Sequence, residues 1–323
     1  MTRVLSGIQP TGDIHLGNYL GALRWWVADQ YEHDSYHLVV DLHALTVPRD
    51  PAELRAGTLD VAALLLAVGL DPEVCTMFVQ SHVSEHSELC WLLECVASMG
   101  ELGRMTQFKD KAAKGGEEAA RVGLFAYPVL QAADILLYRA RGVPVGIDQV
   151  PHLELTREVA RRFNRLYGEV FPEPEALLTE TPKVPGTDGR KMSKSYNNAV
   201  YLDEPDKDIE AKLSRMATDP RRVRRTDPGE PADCPAFNLH RIYCTPEEIE
   251  YVTTGCRTAG IGCLDCKRVM IKHVLAALAP IRARRAELRQ RPDTVPHVLA
   301  DGNARARAVA EATMAEVREA MKI

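Results

Sequence analysis

The chain has 323 residues, of which 46% are hydrophobic and 26% charged, a composition typical of a soluble globular enzyme. Forty Lys and Arg residues against 45 Asp and Glu residues give a net charge of −5, which excludes a uniformly basic, histone-like binder but allows local basic patches. The apolar runs are shorter than the ~18 residues of a membrane span, and the first residues lack the apolar core of a secretory signal. We therefore expect a cytoplasmic protein with reduced thiols.

Short β-rich runs alternate with longer helical patterns in the first part of the chain. The predicted strands lie at residues 4–5, 38–40, 77–79 and 143–145, and the predicted helices include residues 15–29 and 51–70. Strands that alternate with helices of this length predict a parallel sheet covered on both faces. The sequence thus predicts an α/β fold with a Rossmann-like nucleotide-binding domain over residues 1–205, whose ligands lie at the carboxyl ends of the strands.

The pattern becomes helical after this region. Helical periodicity covers residues 206–219, 246–254, 266–291 and 295–323, with few β-like runs between them. We therefore predict a second, all-helical domain over residues 206–323.

A glycine-rich segment, GIQPTGDIHLGN, occupies residues 7–18, between the first predicted strand and helix. Glycines at positions 7, 12 and 17 allow tight turns and a close approach of the backbone to a ligand. His15 and Asn18 start the helix, where free N–H groups and the helix dipole favour phosphate. The imidazole can donate to a phosphate oxygen as charge develops there. The alternative is that His15 only caps the helix.

A second segment, GRKMSKS, covers residues 189–195, just before the predicted domain change. Lys191 and Lys194, three residues apart, can neutralise a triphosphate as pyrophosphate leaves. An ordinary solvated basic loop is the alternative for this segment alone. The order of the two segments across a parallel α/β domain favours nucleotide chemistry.

These segments resemble the HIGH-type and KMSKS signatures of class I aminoacyl-tRNA synthetases, with HLGN at residues 15–18. Asn18 replaces the final His of HIGH, at a position where the family commonly varies. The chain is most similar to the bacterial-type tryptophanyl-tRNA synthetases, because DLHALT, GELGRMTQFKDK, YPVLQAADILLY and VPVGIDQVPHLELTREVARRFN also occur in order. The resemblance implies a homodimer that activates L-tryptophan with ATP and Mg²⁺, releases pyrophosphate, and transfers the tryptophanyl group to the terminal adenosine of tRNA(Trp), typically through its 2′-hydroxyl.

The resemblance also implies the residues that contact the substrates. Catalytic roles fall to His15, Lys191 and Lys194. The other positions implied around ATP are Gln9, Pro10, Thr11, Gly17, Asn18, Lys111, Gly146, Ile147, Asp148, Met192, Ser193 and Ser195. Those implied around tryptophan are His43, Tyr127, Gln131, Asp134, Val143, Val145 and Gln149. For Lys111 the alternative is an exposed helix-end charge, and for Asp148 it is a helix cap.

Asp134 is the single carboxylate of an apolar helical stretch at residues 127–138. Burial of an unpaired charge costs free energy, so a buried Asp134 needs a hydrogen-bond donor. In the family the matching Asp accepts the indole N–H of tryptophan, so the ligand is expected to supply that donor. The alternative is an Asp134 that faces solvent or a neighbouring Arg. Gln131 departs from many relatives, which have Met against the indole.

Other functions are consistent with parts of the sequence. Tyrosine is the competing amino acid, because the sister tyrosyl enzymes share the fold and also use an Asp, although DLHALT and GIDQ favour tryptophan. A nucleotidyl transferase that adenylylates a small acid without tRNA is the alternative enzyme. A synthetase-like RNA-binding or regulatory protein is the alternative outside catalysis, and only turnover separates it from an enzyme.

Five of the eight cysteines lie between residues 234 and 266. Cys234, Cys256, Cys263 and Cys266 follow the spacing C-x21-C-x6-C-x2-C, and four thiolates suit either a structural zinc or a [4Fe–4S] cluster. Some tryptophanyl-tRNA synthetases carry a [4Fe–4S] cluster on nearly this spacing, so we favour iron–sulfur over zinc. A metal-free set of thiols is the alternative, and Cys244 is left over.

The predicted helical domain resembles the anticodon-reading part of the family. Two groups of arginines there can contact tRNA phosphates, although such runs are more often solvated helix faces. The groups are Arg221, Arg222, Arg224 and Arg225, and Arg282, Arg284, Arg285 and Arg289.

Overall fold

A five-stranded parallel sheet forms the centre of the first part of the chain. The computed structural model describes residues 1–10, 14–105, 121–178 and 184–323, with no description of the Asp148 side chain. Within these residues the strand order is β3-β2-β1-β4-β5, and every pairing is parallel. The strands are β1 (Arg3–Ile8), β2 (Asp34–Val39), β3 (Thr76–Val79), β4 (Gly142–Val145) and β5 (Glu175–Leu178).

The order of the strands fixes where a ligand can bind. The chain runs from β1 outward to β2 and β3, then crosses back and places β4 on the other side of β1. The loops that follow β1 and β4 therefore diverge, which leaves a crevice at the carboxyl ends of these two strands. The predicted parallel sheet is confirmed, whereas β5 is a strand that the sequence analysis did not predict.

Helices cover both faces of this sheet. A π-helical stretch at Tyr19–Leu23 joins α1 to α2, so the helix predicted from residue 15 runs from Leu16 to Asp29. The helices of the first part are α1 (Leu16–Asn18), α2 (Arg24–Asp29), α3 (Asp41–Ala44), α4 (Pro51–Val68), α5 (Glu85–Glu94), α6 (Met99–Leu102), α7 (Val122–Leu137) and α8 (Val150–Tyr167).

The rest of the described chain is helical after residue 206, as predicted. Its helices are α9 (Asp206–Ser214), α10 (Pro235–Tyr243), α11 (Pro246–Arg257), α12 (Cys263–Gln290) and α13 (Thr294–Met321). Helix α10 was not predicted. Thr245 starts α11 with a capping box, because its hydroxyl accepts from the Glu248 N–H and the Glu248 carboxylate accepts from the Thr245 N–H.

The helical segment shares apolar cores with the sheet. On one face, Leu65 of α4 and Leu278 of α12 belong to the same buried cluster. On the other face, helix α13 packs against β3, and its Gly302 lies so close to the Met77 carbonyl oxygen that a Cβ would overlap it. The division at residues 205 and 206 stays a prediction, since the packing joins both parts. Among the described helices, none combines the length and the hydropathy that crossing a bilayer requires.

Candidate active site

The two motif segments meet at the carboxyl end of β1. The Leu16 N–H donates to the Val200 carbonyl over 2.8 Å, and the Leu202 N–H donates to the Ile14 carbonyl over 3.1 Å. A Cβ at Gly17 would lie 3.6 Å from the Met192 Cβ and 3.0 Å from the ring of His15. Glycine at this position therefore lets the KMSKS segment approach the helix that His15 begins.

His15 both caps this helix and presents a proton donor. Its Nδ1 accepts from the Asn18 N–H, and the Asn18 Oδ1 accepts from the His15 N–H, each over 3.2 Å. Burial lowers the pKa of His15, and the positive charge of Lys191 lowers it further, against a backbone hydrogen bond that raises it. A neutral imidazole that accepts at Nδ1 carries its proton on Nε2. The capping role considered as an alternative is real, and it leaves Nε2–H as a donor.

The KMSKS segment is fixed by a buried amide. Asn198, 2% exposed, accepts the Ser193 N–H at Oδ1 over 2.8 Å and donates from Nδ2 to Asp188 over 2.7 Å. A Cβ at Gly186 would collide with this amide. Met192 is buried, whereas Lys191 and Lys194 are exposed. The segment is therefore anchored on one side and presents both lysines on the other.

Asp134 lies in the deepest part of the region, with 2% of its surface exposed. Its Oδ1 accepts from the Gln80 amide and from His86 Nδ1, each over 2.7 Å, and its Oδ2 accepts from His43 Nε2 over 2.7 Å. Gln80 follows the carboxyl end of β3, and His43 lies in α3, directly after β2. Two of the three donors, Gln80 and His43, are thus placed by the carboxyl ends of parallel strands.

The surrounding groups fix the protonation of this network. The Tyr138 hydroxyl is 2.9 Å from His86 Nε2, so it donates there while His86 Nδ1–H donates to Asp134. The Leu42 N–H donates to the Gln80 Oε1 over 3.2 Å, which turns the Gln80 NH₂ toward the carboxylate. Gln80 and His86 are accordingly each oriented to donate to Asp134.

The network keeps Asp134 ionised. Burial alone would raise its pKa, but the charge on His43 and hydrogen bonds from His43 and His86 outweigh burial and lower the pKa to about 2. Because the folded-state pKa lies below the ordinary value of about 3.9, the carboxylate stabilises the fold above that pH. This contribution is lost as the pH falls through about 2.

The premise that the ligand must supply the donor for Asp134 is wrong. Three protein groups already donate to the carboxylate, and its burial excludes the solvent-facing alternative. A carboxylate has about four acceptor sites, and Oδ2 has one donor, His43, among the described residues. Oδ2 therefore retains capacity for one more N–H or O–H donor.

Two more of the residues implied around tryptophan lie on the face of α7 that carries Asp134. Tyr127, Gln131, Asp134 and Tyr138 follow one another at intervals of four, three and four residues, which places them on one side of the helix. The Tyr127 hydroxyl lies 3.1 Å from Nε2 of the buried His152. The Tyr127 ring packs edge-on against His43, with centroids 6.3 Å apart.

The remaining predicted residues follow β1 or belong to the β4 region. Val143 is buried, whereas Val145 and Gln149 are half-buried. The turn after β4 contains Gly146, Ile147 and Gln149. Gln9 and Pro10 follow the neighbouring strand β1, so both groups border the same crevice. Thr11 and Lys111 lie outside the described residues, as does the side chain of Asp148.

The sequence analysis assigned no role to four residues that hold the candidate site together. These residues are Gln80, His86, Tyr138 and Asn198, which act through contacts with other segments. Gln80 gives the best signal, because a polar residue at the carboxyl end of a buried parallel strand points to a ligand site.

The four predicted cysteines converge where two helices begin. Cys234 directly precedes α10, and Cys263 is the first residue of α12, with Cys266 one turn later. Burial raises the pKa of Cys266 to about 12, and the charges of Cys234, Cys256 and Cys263 add to the shift. His240 Nε2 lies 3.5 Å from the Cys266 sulfur, and Arg222 Nη1 lies 3.8 Å from the Cys256 sulfur.

Several of the predicted tRNA-binding arginines are engaged within the protein. Arg222 is buried and donates to the carbonyl of Ile261. Arg285 is also buried, and pairs with Asp60. The proposal that these two contact phosphates is wrong, because their guanidinium groups are committed inside the fold. Salt bridges to aspartates within the protein are also formed by Arg221, Arg282 and Arg289.

Comparison with known proteins agrees with this geometry. The family described as tRNA synthetases class I (W and Y) matches residues 1–279. A tryptophan–tRNA ligase of Deinococcus radiodurans is 52% identical over 325 aligned positions, covering 99% of this chain and 98% of that protein. A tryptophan–tRNA ligase of Thermotoga maritima is 48% identical and covers 99% of both chains.

A solved structure extends the likeness to the whole fold. The crystal structure of tryptophanyl-tRNA synthetase from Campylobacter jejuni, complexed with ADP and tryptophan, has a TM-score of 0.91 and 36% identity over 100% of both chains. The chain therefore belongs to the class I synthetases for tryptophan and tyrosine and, within them, to the bacterial-type tryptophanyl-tRNA synthetases, as a tryptophan–tRNA ligase.

Proposed function

We propose that Asp134 and its neighbours bind the tryptophan side chain, and that His15 and the KMSKS segment bind and activate ATP. The observation that carries this assignment is the ionised Asp134 carboxylate, buried with three donors and with acceptor capacity left on Oδ2. An indole N–H is the donor that this oxygen would receive. The crevice between β1 and β4 joins this pocket to the phosphate-binding segments.

Selectivity in such a pocket follows from the charge state of Asp134. An ionised carboxylate only accepts hydrogen bonds, so a bound aromatic side chain must bring a donor. A site built around a hydrogen bond rejects an analogue without the donor by about 10⁴–10⁵, which disfavours phenylalanine. Tyrosine brings a donor as well, so discrimination against it depends on the shape set by His43, Val143 and Gln131.

The activation step needs no side-chain nucleophile. A carboxylate oxygen of tryptophan attacks the α-phosphorus of ATP, the bond from that phosphorus to the bridging oxygen breaks, and pyrophosphate leaves with the electron pair. The His15 Nε2–H donates to a phosphate oxygen, while Lys191 and Lys194 hold the negative charge of the leaving group. Mg²⁺ enters with the triphosphate and shares that charge. Catalysis is thus positioning and electrostatic stabilisation.

The second step transfers the acyl group to tRNA. The 2′-hydroxyl of the terminal adenosine attacks the carbonyl carbon of tryptophanyl-adenylate, and AMP leaves. We assign anticodon recognition to residues 206–323. Arg224 and Arg225 are exposed beside the cysteine region, with Arg225 Nε 3.5 Å from the position of a Cβ on Gly262, and are the better candidates for phosphate contacts.

The four cysteines fit a [4Fe–4S] cluster better than zinc. Zinc–sulfur bonds of about 2.3 Å place four sulfurs about 3.8 Å apart. Among the described residues, no three of these four thiols lie within 4.8 Å of one another, although all four act on each other electrostatically. This wider arrangement suits a polynuclear centre.

A homodimer is the proposed assembly. Trp91 of α5, Met99 of α6 and Val122 of α7 are 64%, 74% and 81% exposed, and α7 packs against both of the other helices. Exposed large apolar side chains on neighbouring helices are typical of an interface. A second copy of the chain is the proposed partner for this face.

We expect Lys194→Ala to slow tryptophan-dependent exchange between ATP and pyrophosphate about 10²–10³-fold, because the leaving group loses a positive charge. Tryptophan binding should stay nearly intact, since the lysine lies in the ATP segment. Lys207→Ala, at an exposed lysine of α9, is the matched control and should exchange at the wild-type rate. An exchange rate unchanged in Lys194→Ala would refute the role of this lysine.

His86→Ala should lower stability and raise the KM for tryptophan while leaving the KM for ATP near its wild-type value. The variant leaves the Tyr138 hydroxyl unpaired and removes one donor from Asp134, and each buried unpaired group costs about 1–3 kcal/mol. The measurements are urea unfolding and exchange kinetics with each substrate varied. His297→Ala, at an 80% exposed side chain, is the control. Equal increases in both KM values would show that His86 does not position the tryptophan site.

Protein purified without oxygen should contain four iron and four sulfide per chain, and Cys263→Ser should lose both. Loss of the cluster should weaken tRNA binding while tryptophan activation is retained. The neighbours of Asp134 in α7 and the residues around Cys266 belong to different buried clusters. Cys95→Ser, at an exposed thiol outside the set, is the control. Zinc in place of iron, or a chain without metal at these cysteines, would reject the iron–sulfur assignment.

A further inference from the structure

The thiol left over from the four-cysteine set has polar neighbours of its own. Cys244 closes α10, Glu248 belongs to the first turn of α11, and His273 lies in α12. One ligand atom from each, a thiol sulfur, a carboxylate oxygen and an imidazole nitrogen, lies within 4.8 Å of the other two. All three residues are half-buried, so three helices converge on one small polar site.

Two of the three side chains in this group already contact each other. His273 Nε2 lies 2.7 Å from a Glu248 carboxylate oxygen, so these two side chains form an ion pair when the imidazole is protonated. The Thr245 N–H donates to the same oxygen over 3.1 Å and orients the carboxylate. The Cys244 sulfur lies within 4.8 Å of both of these atoms, so all three are close enough to face a common centre.

The donor set selects the kind of ion. Sulfur, imidazole nitrogen and carboxylate oxygen together suit zinc, whereas Mg²⁺ and Ca²⁺ prefer oxygen alone. Tetrahedral zinc with bonds of about 2.0–2.3 Å places such ligands about 3.4–3.6 Å apart. His273 Nε2 and the Glu248 oxygen, 2.7 Å apart, would separate by about 0.7 Å to reach that spacing. The Cys244 sulfur, within 4.8 Å of both, would approach by at most about one ångström.

We propose that Cys244, Glu248 and His273 bind one zinc ion, with water in the fourth position. The ion would tie the junction of α10 and α11 to α12. This site is separate from the four-cysteine centre, because it shares no residue with it, and it does not depend on the roles assigned to Asp134 or His15.

The test counts metal in matched variants of the full chain purified without oxygen. Cys244→Ser, His273→Gln and Glu248→Gln each remove a ligand, and Glu248→Gln keeps the capping box that starts α11. Cys95→Ser and His297→Gln, at exposed positions, are the controls. Each ligand variant should lose one zinc per chain relative to wild type, while the metal at the four cysteines stays unchanged.

Cobalt(II) titration of the zinc-stripped protein provides a second readout. The part of the thiolate-to-cobalt absorption that disappears in Cys244→Ser reports this site directly, whatever the other cysteines bind. His273→Gln and Glu248→Gln should weaken that component at least tenfold, whereas the controls should match wild type. Zinc content and cobalt absorption that are the same in Cys244→Ser and wild type would overturn the proposal and leave only an ion pair between Glu248 and His273.

Discussion

The structure of the amino-acid pocket depends on one buried charge. Asp134 is ionised because Gln80, His43 and His86 converge on it from separate parts of the fold. The Leu42 N–H orients Gln80, and the Tyr138 hydroxyl orients His86. Removal of any one donor would leave a charge with too few hydrogen bonds in a low-dielectric core, which is costly. The same requirement gives the pocket its chemistry, since a carboxylate held ionised can only accept.

The sheet positions the loops of the candidate site, and the two motif segments meet at its edge. Parallel strands bring the loops after β1 and β4 to one edge, where His15 and the KMSKS segment meet through the contacts of Gly17 and the hydrogen bond from Leu16 to Val200. The side proposed to bind ATP is exposed and built from short segments, whereas the side proposed to bind tryptophan is buried in the core. This difference suits a reaction in which a charged leaving group departs and a neutral aromatic ring stays in place.

Much of the fold could be predicted from the sequence, because it rests on local patterns. Short apolar runs between helices predicted the parallel sheet. The segments around His15 and Lys194, predicted to act on one nucleotide, lie close together in the fold. The partners of Asp134 could not be predicted, since His86 and Gln80 reach it across 48 and 54 residues of sequence. Strand β5 and helix α10 are short, at four and nine residues, and give little local signal. The prediction of phosphate contacts was wrong for Arg222 and Arg285, because the sequence of a basic run does not show which of its side chains are buried.

The most direct test of the central claim is ATP–pyrophosphate exchange with tryptophan, tyrosine and phenylalanine, in wild type and in Asp134→Asn. Wild type should support exchange with tryptophan far above the other two amino acids. In Asp134→Asn the specificity constant for tryptophan should fall sharply toward that for phenylalanine, because the neutral amide no longer offers an ionised acceptor to the ring N–H. Undiminished preference for tryptophan in a folded Asp134→Asn enzyme would contradict the account.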